Sequence, residues 1–361
     1  MPAIEACPPT PAGTPLALTF ILPTRNRREQ VGRAVASCLQ AHAGGVRVEV
    51  LVVDGNSTDG SFEELQQRHG NDSRVRLLRQ QGAKGFMAAC FFAIPQVRTP
   101  FATFMYDDDV LSPFWADLPR ELQRRRAGFV MGFSEEADVT KTHHFEQVTK
   151  LLVVKPATLL RAYCGGGHQL SAHSLPFSPI CCLTQTEWLR SWAKEMEVFT
   201  RGRPLREYFM MQRNAGPDLM IYFHSILNHP GEIVVFHGPV AQFSTHRGSM
   251  TAGFEQTDLV VGYWLAQVWL CNRLLARSCW ADAGWSAAHT VRGGLRLALK
   301  RVRRSRWQWL GSLLKEVAAL AGLALVSRAA GPFVKSFMIF LLPRGWRPKS
   351  GLLLRTEQLA G

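Results

Sequence analysis

From Leu16 to Tyr106 short apolar runs alternate with stretches of helical periodicity, and that order leaves few folds open. LALTFIL (Leu16 to Leu22) reads as a buried strand ended by Pro23, and RREQVGRAVASCLQAH sets Val31, Ala34, Val35 and Leu39 at helical spacing. VEVLVVD (Val48 to Asp54) is a second buried strand, followed by the turn GNSTDGS and the helix-like FEELQQRHG. RVRLLRQ is a third strand, KGFMAACFFAIPQ a helix and FATFMY a fourth strand. Strand and helix alternating at this pitch imply a parallel sheet with right-handed crossovers. Ligands of such sheets bind beyond the carboxyl ends of the strands, where three polar clusters fall: PTRNR, DGNSTDG and DDDVLSP.

The third cluster is the most demanding. Asp107, Asp108 and Asp109 follow an apolar strand directly, and carboxylates packed there repel one another unless a cation or hydrogen-bond donors compensate. A hard divalent ion such as Mg²⁺ or Mn²⁺ accepts one or two carboxylates together with the oxygens of a substrate diphosphate. The alternative is a solvated acidic turn, which three consecutive aspartates make less attractive. In the second cluster Asp54 is suited to accept a hydrogen bond from a nucleobase N–H, while Ser57, Thr58 and Asp59 either bind polar groups or cap the next helix. Capping is the reading for Asp59 and Ser61. Arg25, Arg79 and Lys84 lie near the same edge and are candidates to face phosphates.

Taken in order and spacing, FILPTRNRREQVGRAVASCL, VLVVDGNSTDGS and FMYDDDVLSP resemble the nucleotide-sugar-binding half of family 2 glycosyltransferases, over about residues 16–120. The resemblance implies an α/β protein of the GT-A fold, Rossmann-like with a mostly parallel central sheet. It further implies that Pro23, Thr24, Arg25, Asp54 and Asn56 contact the donor nucleoside, with Arg79, Lys84, Asp107 and Asp108 completing the donor site. The aspartates correspond to the DxD-type element that holds the metal. Its first acidic position falls on Tyr106 or Asp107 depending on register, so the role goes to the trio, with Asp108 and Asp109 favoured for metal and ribose.

An inverting sugar transfer needs a carboxylate to take the acceptor hydroxyl's proton. Asp218, in RNAGPDLMIYFHSIL, stands where the family places its acidic base motif, often Glu-Asp; Pro217 replaces the first acid here. The competing role for Asp218 is to cap the helix that follows. SLPFSPICCLTQTEW resembles the pocket-shaping segment, making Ser178 and Pro179 candidate lining residues. VAQFSTHRGSMT resembles the segment that closes over the diphosphate. On that basis His246 is a candidate metal ligand, and Arg247 and Ser249 are candidates for phosphate or acceptor contacts. His143 and His144 have no partners at metal spacing and read as surface loop.

Charge divides the chain. The net charge is +14 over 361 residues, but residues 262–361 hold 16 Lys/Arg against 3 Asp/Glu, so nearly all the excess lies there. HTVRGGLRLALKRVRRSRWQWL sets Val291, Leu295, Ala298, Leu299 and Val302 along one helical face, with Arg292, Arg296, Lys300, Arg303 and Arg304 around the remainder. Such a helix, followed by Trp307 and Trp309, suits the headgroup region of an anionic membrane. WLGSLLKEVAALAGLALVS contains Lys315 and Glu316, and PFVKSFMIFLLP falls short of the ~20 apolar residues a span requires. Monotopic or re-entrant insertion is therefore preferred to a transmembrane helix. The alternative is a helical domain packed on the catalytic core.

The eight cysteines include no CxxC pair and read as reduced thiols of a cytoplasmic protein. The Pro-rich start lacks the pattern of a secretory signal and reads as a flexible leader over residues 1–15. The expected organisation is a catalytic domain over 16–255, divided at about 120 into donor and acceptor halves, and a helical membrane-associating region over 256–361. The expected activity is Mn²⁺- or Mg²⁺-dependent inverting transfer from a nucleotide sugar to a lipid-linked or polysaccharide acceptor of a cell-surface glycan. The expected location is the cytoplasmic face of the inner membrane, with no nucleic acid as partner. Two rivals remain: an inactive membrane scaffold that keeps the fold, suggested by the missing Glu before Asp218, and a nucleic-acid-binding protein, suggested by the basic tail.

Overall fold

Strand β1 (Ala17–Thr24) has no exposed residue, because parallel strands flank it on both sides and helices cover both faces. The computed structural model describes residues 16–41, 46–82, 85–138, 145–164, 169–170, 173–246, 256–303, 307–341 and 355–358. After β1 come α1 (Arg28–Gln40), β2 (Arg47–Asp54), α2 (Ser61–His69), β3 (Val75–Arg79), α3 (Phe86–Ala93) and β4 (Phe101–Phe104), the alternation expected from sequence. β1 continues through Pro23 to Thr24, two residues beyond the expected end, in step with β2 as far as Asp54.

The second half is less regular. β5 (Val110–Leu111), α4 (Asp117–Arg125), β6 (Phe129–Asp138), β7 (Lys150–Val154), α5 (Pro156–Cys164) and the short pair β8 (Gln169–Leu170) and β9 (His173–Ser174) lead to β10 (Cys182–Gln185). Then follow α6 (Thr186–Thr200), the single turn α7 (Pro204–Arg206), a π-helical stretch Glu207–Gln212, α8 (Pro217–Asn228) and the long β11 (Ile233–Thr245). The main sheet runs β12-β7-β11-β6-β10-β4-β1-β2-β3, with β5 paired to β11. The β4-β1-β2-β3 half is wholly parallel, whereas β10, β7 and the terminal β12 (Arg355–Gln358) enter antiparallel. The expectation of helix up to residue 361 is corrected at β12, which pairs with β7 and covers its edge.

Successive residues of β1 and β2 point to opposite faces and feed two cores. Phe20, Leu22, Val50 and Val52 pack with Val31, Val35 and Leu118 from α1 and α4. Ile21, Leu51 and Val53 face the core containing α3, α6 and α8. That second core also takes in α9 (Gln256–Ala276), α10 (Trp280–Arg303), α11 (Leu310–Leu325) and α12 (Ala330–Leu341), through Trp264, Leu265, Trp269, Ala287, Val317 and Phe333 among others. Helix α9 is long and apolar enough to cross a membrane, but Val261, Trp264, Leu265, Trp269 and Leu270 are buried against protein.

One close approach between α9 and α8 falls beside Asp218. Gly216 adopts φ +97°, where only glycine is comfortable, and a Cβ on it would meet the Gly262 carbonyl at 2.3 Å. A Cβ on Gly262 would meet the Ala215 carbonyl at the same distance. Two glycines thus let α9 press against the start of α8.

Candidate active site

Strand register brings the three polar clusters to one level. Thr24 pairs with Asp54 and Asp54 with Arg79, while β4 ends with Phe104 opposite Ile21. Three residues further along each chain, Asp107 comes level with Thr24, and the Thr24 hydroxyl donates to Asp107 Oδ2 at 2.7 Å. The first two loops are laced together by side chains. Asn26 N–H donates to Ser57 Oγ at 2.9 Å, Thr58 N–H to Asn26 Oδ1 at 2.8 Å and Arg28 N–H to Asp59 Oδ2 at 3.1 Å. Asn26 and Asn56 both take the left-handed conformation that asparagine tolerates, which turns these loops back on themselves. Asn56 Nδ2 is spent on the Gln80 carbonyl at 3.2 Å.

Asp54 is fully buried, accepting from Ser57 N–H through Oδ2 at 3.0 Å and leaving Oδ1 without a protein partner. A buried carboxylate oxygen in that state is ready to accept one more donor. Arg25 is exposed beside it and its backbone N–H supports Asp107. Arg79, by contrast, turns away to Glu63 at 2.6 Å and lies 4.2 Å over the Phe62 ring. Lys84, Arg247, Ser249, His143 and His144 lie outside the described residues.

The three aspartates separate in environment. Asp107 and Asp108 are partly exposed, whereas Asp109 is 1% exposed. β5 pairs Val110 with Gln242, which sets Asp109 Oδ1 to accept from Ser244 N–H at 2.8 Å while Oδ2 has no partner. One residue past β11, His246 Nε2 lies 2.9 Å from Asp108 Oδ2. Arg33, on α1, donates to the Asp108 carbonyl at 3.1 Å. Burial first and the neighbouring Asp108 charge second push Asp107 up to about 6 and hold Asp109 well above the usual carboxylate range. Protein donors therefore compensate this charge incompletely.

The chain's own residues fit a divalent ion. The orphaned Asp109 oxygen and the Asp108–His246 pair supply hard oxygen and imidazole donors. Among the described residues no three His, Cys, Asp or Glu side chains converge to hold a metal ion, so the chain itself offers at most part of a coordination shell here.

Asp218 stands in the first turn of α8, but Gly216 holds the cap position and no side chain caps the helix. Asp218 Oδ1 accepts from the adjacent Leu219 N–H at 3.0 Å. Its side chain reaches solvent only partly, and burial raises it to about 7. After burial, the charge of Asp218 is the next influence holding both the Tyr106 and Tyr263 phenols well above their ordinary range, and Tyr106 also feels Asp109. Tyr106 thus lies within electrostatic reach of both Asp218 and Asp109. Ser178 and Pro179 are buried rather than open to a pocket. The Ser178 carbonyl accepts from Tyr222 at 2.7 Å and the Pro179 carbonyl from Thr103 at 2.6 Å.

Residues 19–166 match the family described as Glycosyl transferase family 2. That segment is similar to family 2 glycosyltransferases. A search of curated proteins returned no significant match. Among solved structures, the chain is similar to S. aureus TarS 1–349 in complex with UDP-GlcNAc, at 12% identity and a TM-score of 0.56, over 96% of this chain and 99% of that one. S. aureus TarS 1–349 without a named ligand gives 14% identity and a TM-score of 0.54 over the same shares. The longer S. aureus TarS gives 14% and 0.53, over 89% of this chain and 54% of that one. At these identities the likeness shows the fold: a GT-A architecture continuing into helices, which extends past the family match to nearly the whole chain.

Sequence reasoning missed Arg33, Tyr106 as a neighbour of Asp218, Ser244 and Tyr263. Arg33 and Ser244 act on the aspartates from elements remote in sequence. Tyr263 sits in a helix that reads as a separate region, and no motif marks it.

Proposed function

We propose that this protein is a glycosyltransferase that moves a sugar, with inversion, from a nucleoside diphosphate donor to a hydroxyl of a lipid-linked or polysaccharide acceptor in cell-surface glycan synthesis. The observation that carries the reading is the meeting of Thr24, Asp54 and the three aspartates at the adjacent carboxyl ends of β1, β2 and β4. Asp54, with its unpartnered oxygen, receives an N–H of the donor's base, and the laced loops of Asn26 and Ser57 hold that pocket rigid before the donor arrives. One or two of Asp108, Asp109 and His246 would contribute ligands to Mn²⁺ or Mg²⁺, with the donor's diphosphate supplying others, and the ion when bound would neutralise the charge developing on the departing diphosphate.

Asp218 takes the proton of the attacking acceptor hydroxyl. Its elevated pKa of about 7 suits that task, since a base near the working pH combines a populated anion with real proton affinity. A single displacement by that hydroxyl, from the face opposite the diphosphate, inverts the anomeric centre. TarS binds UDP-GlcNAc in one of the similar structures and UDP in another, so a uridine donor is the first to test.

The test is calorimetric titration with UDP-, GDP-, dTDP- and CDP-sugars, with and without Mn²⁺, against native protein and Asp108→Asn/Asp109→Asn. Metal-dependent binding of one donor, lost in the variant, is the expected result. A folded sample that binds no donor would overturn the reading and favour a scaffold.

A further inference from the structure

Every acidic side chain between residues 256 and 341 is engaged in an ion pair. Asp258 meets Arg301 at 3.4 Å, Asp282 meets Arg161 of α5 at 2.6 Å, and Glu316 meets Arg206 at 2.7 Å. The charges left on the outer side of α10, α11 and α12 are positive: Arg296, Lys300 and Arg303 on α10, Lys315 on α11, Arg328 before α12 and Lys335 on it, all exposed.

Between these cations the surface is apolar. On α10, Leu295, Leu299 and Val302 recur at helical spacing and are 40%, 59% and 40% exposed, while Val291 and Ala298 of the same helix are buried. On α11 the outward residues are Gly311, Leu314, Ala318, Ala319, Gly322, Leu323 and Leu325, with Lys315 the single charge among the exposed residues of the helix. α12 continues the pattern with Val334 and Met338 around Lys335, and Trp307 is 64% exposed where α10 gives way to α11. An ordinary soluble helix places polar residues on that side; here the helices bury one apolar face in the protein and present another to solvent.

We propose that this outer face of α10–α12 docks on an anionic phospholipid bilayer, with the leucines and Trp307 in the acyl boundary and the flanking cations among the headgroups. The argument is independent of the transfer reaction. Charge complementarity selects the occupant: exposed cations interspersed with exposed apolar side chains match acidic headgroups over hydrocarbon. A second copy would bring like charges together, and a nucleic acid would leave the apolar side chains in contact with phosphates. At about 1.5 Å per residue, the 16 residues of α11 and 12 of α12 are too short to span a ~30 Å hydrocarbon core, so these helices lie in the interface.

The experiment is flotation of the full chain with vesicles of phosphatidylcholine alone and with about 30 mol% phosphatidylglycerol, using native protein, Leu323→Glu/Leu325→Glu and Arg296→Glu/Lys300→Glu. These side chains are exposed, so an unchanged melting temperature verifies that each variant folds. Native protein is expected to float with the anionic vesicles and at least tenfold less with the neutral ones, and each variant is expected to lose at least tenfold. Three outcomes overturn the proposal: no flotation of folded native protein, flotation that neither variant weakens, or a soluble dimer or DNA complex that the variants abolish while vesicles go unbound. Because the readout is vesicle binding, failure here with donor binding intact removes the membrane surface and leaves the proposed reaction standing.

Discussion

Asp218 is where chemistry and stability oppose each other most directly. Its folded pKa of about 7 exceeds that of a free aspartate, so the folded chain binds more protons than the unfolded one between about pH 4 and 7. Ionised above that window, it destabilises the fold. Asp218→Asn should therefore raise stability at pH 8 by on the order of 1–3 kcal/mol and leave it nearly unchanged at pH 4, read from thermal melts at both values. The same substitution should lower kcat by about 10²-fold or more with donor affinity retained. If Asp218 is the base, kcat/KM of native protein rises with pH through about 7 and levels above it, and a flat profile from pH 5.5 to 8.5 would remove it from that role. The aspartate turn and Asp54 were legible in the sequence because each sits at the end of a strand that its own apolar run defines. The difference between Asp109, tied to Ser244, and Asp107, tied to Thr24, was not legible, since it depends on which strand each faces.

At the scale of elements, the parallel half was readable because its strands are buried on both faces and its helices carry clear periodicity. The second half was harder. β10 and β5 are short, and β12 joins β7 from the far end of the chain, so no local pattern announces their partners. The α8–α9 crossing was equally invisible, resting on two glycines 46 positions apart in sequence. Gly262→Ala forces a methyl onto the Ala215 backbone, and should cost about 1–3 kcal/mol of stability while displacing the turn that carries Asp218. A lower melting temperature together with a reduced kcat is expected. An unchanged melting temperature would mean that the two helices do not press together there.

For the whole molecule, the basic C-terminal helices share a hydrophobic core with the sheet. α9 and the inner faces of α10 and α11 complete a core that the sheet begins, while the outer faces keep the amphipathic character read from sequence. The sequence expectation set packing against membrane association as alternatives, but each helix has two sides, and periodicity does not reveal how many neighbours share them. Arg206 and Glu316, each 12% exposed, are joined by two hydrogen bonds, and the Arg206 guanidinium lies 3.9 Å over the Phe199 ring. Glu316→Ala strands that arginine and should destabilise the whole chain by about 3 kcal/mol in a single transition. Two separate melting transitions would show that the helical part folds by itself.

The most direct test of the account is release of nucleoside diphosphate from the donor that binds, measured at pH 8 with Mn²⁺, with EDTA, and with Asp218→Asn. Release by native protein that EDTA abolishes, and that falls about 10²-fold or more in the variant while the variant still binds donor, is the predicted result. Release indifferent to both metal and Asp218, or none from a folded protein that binds the donor, would contradict it.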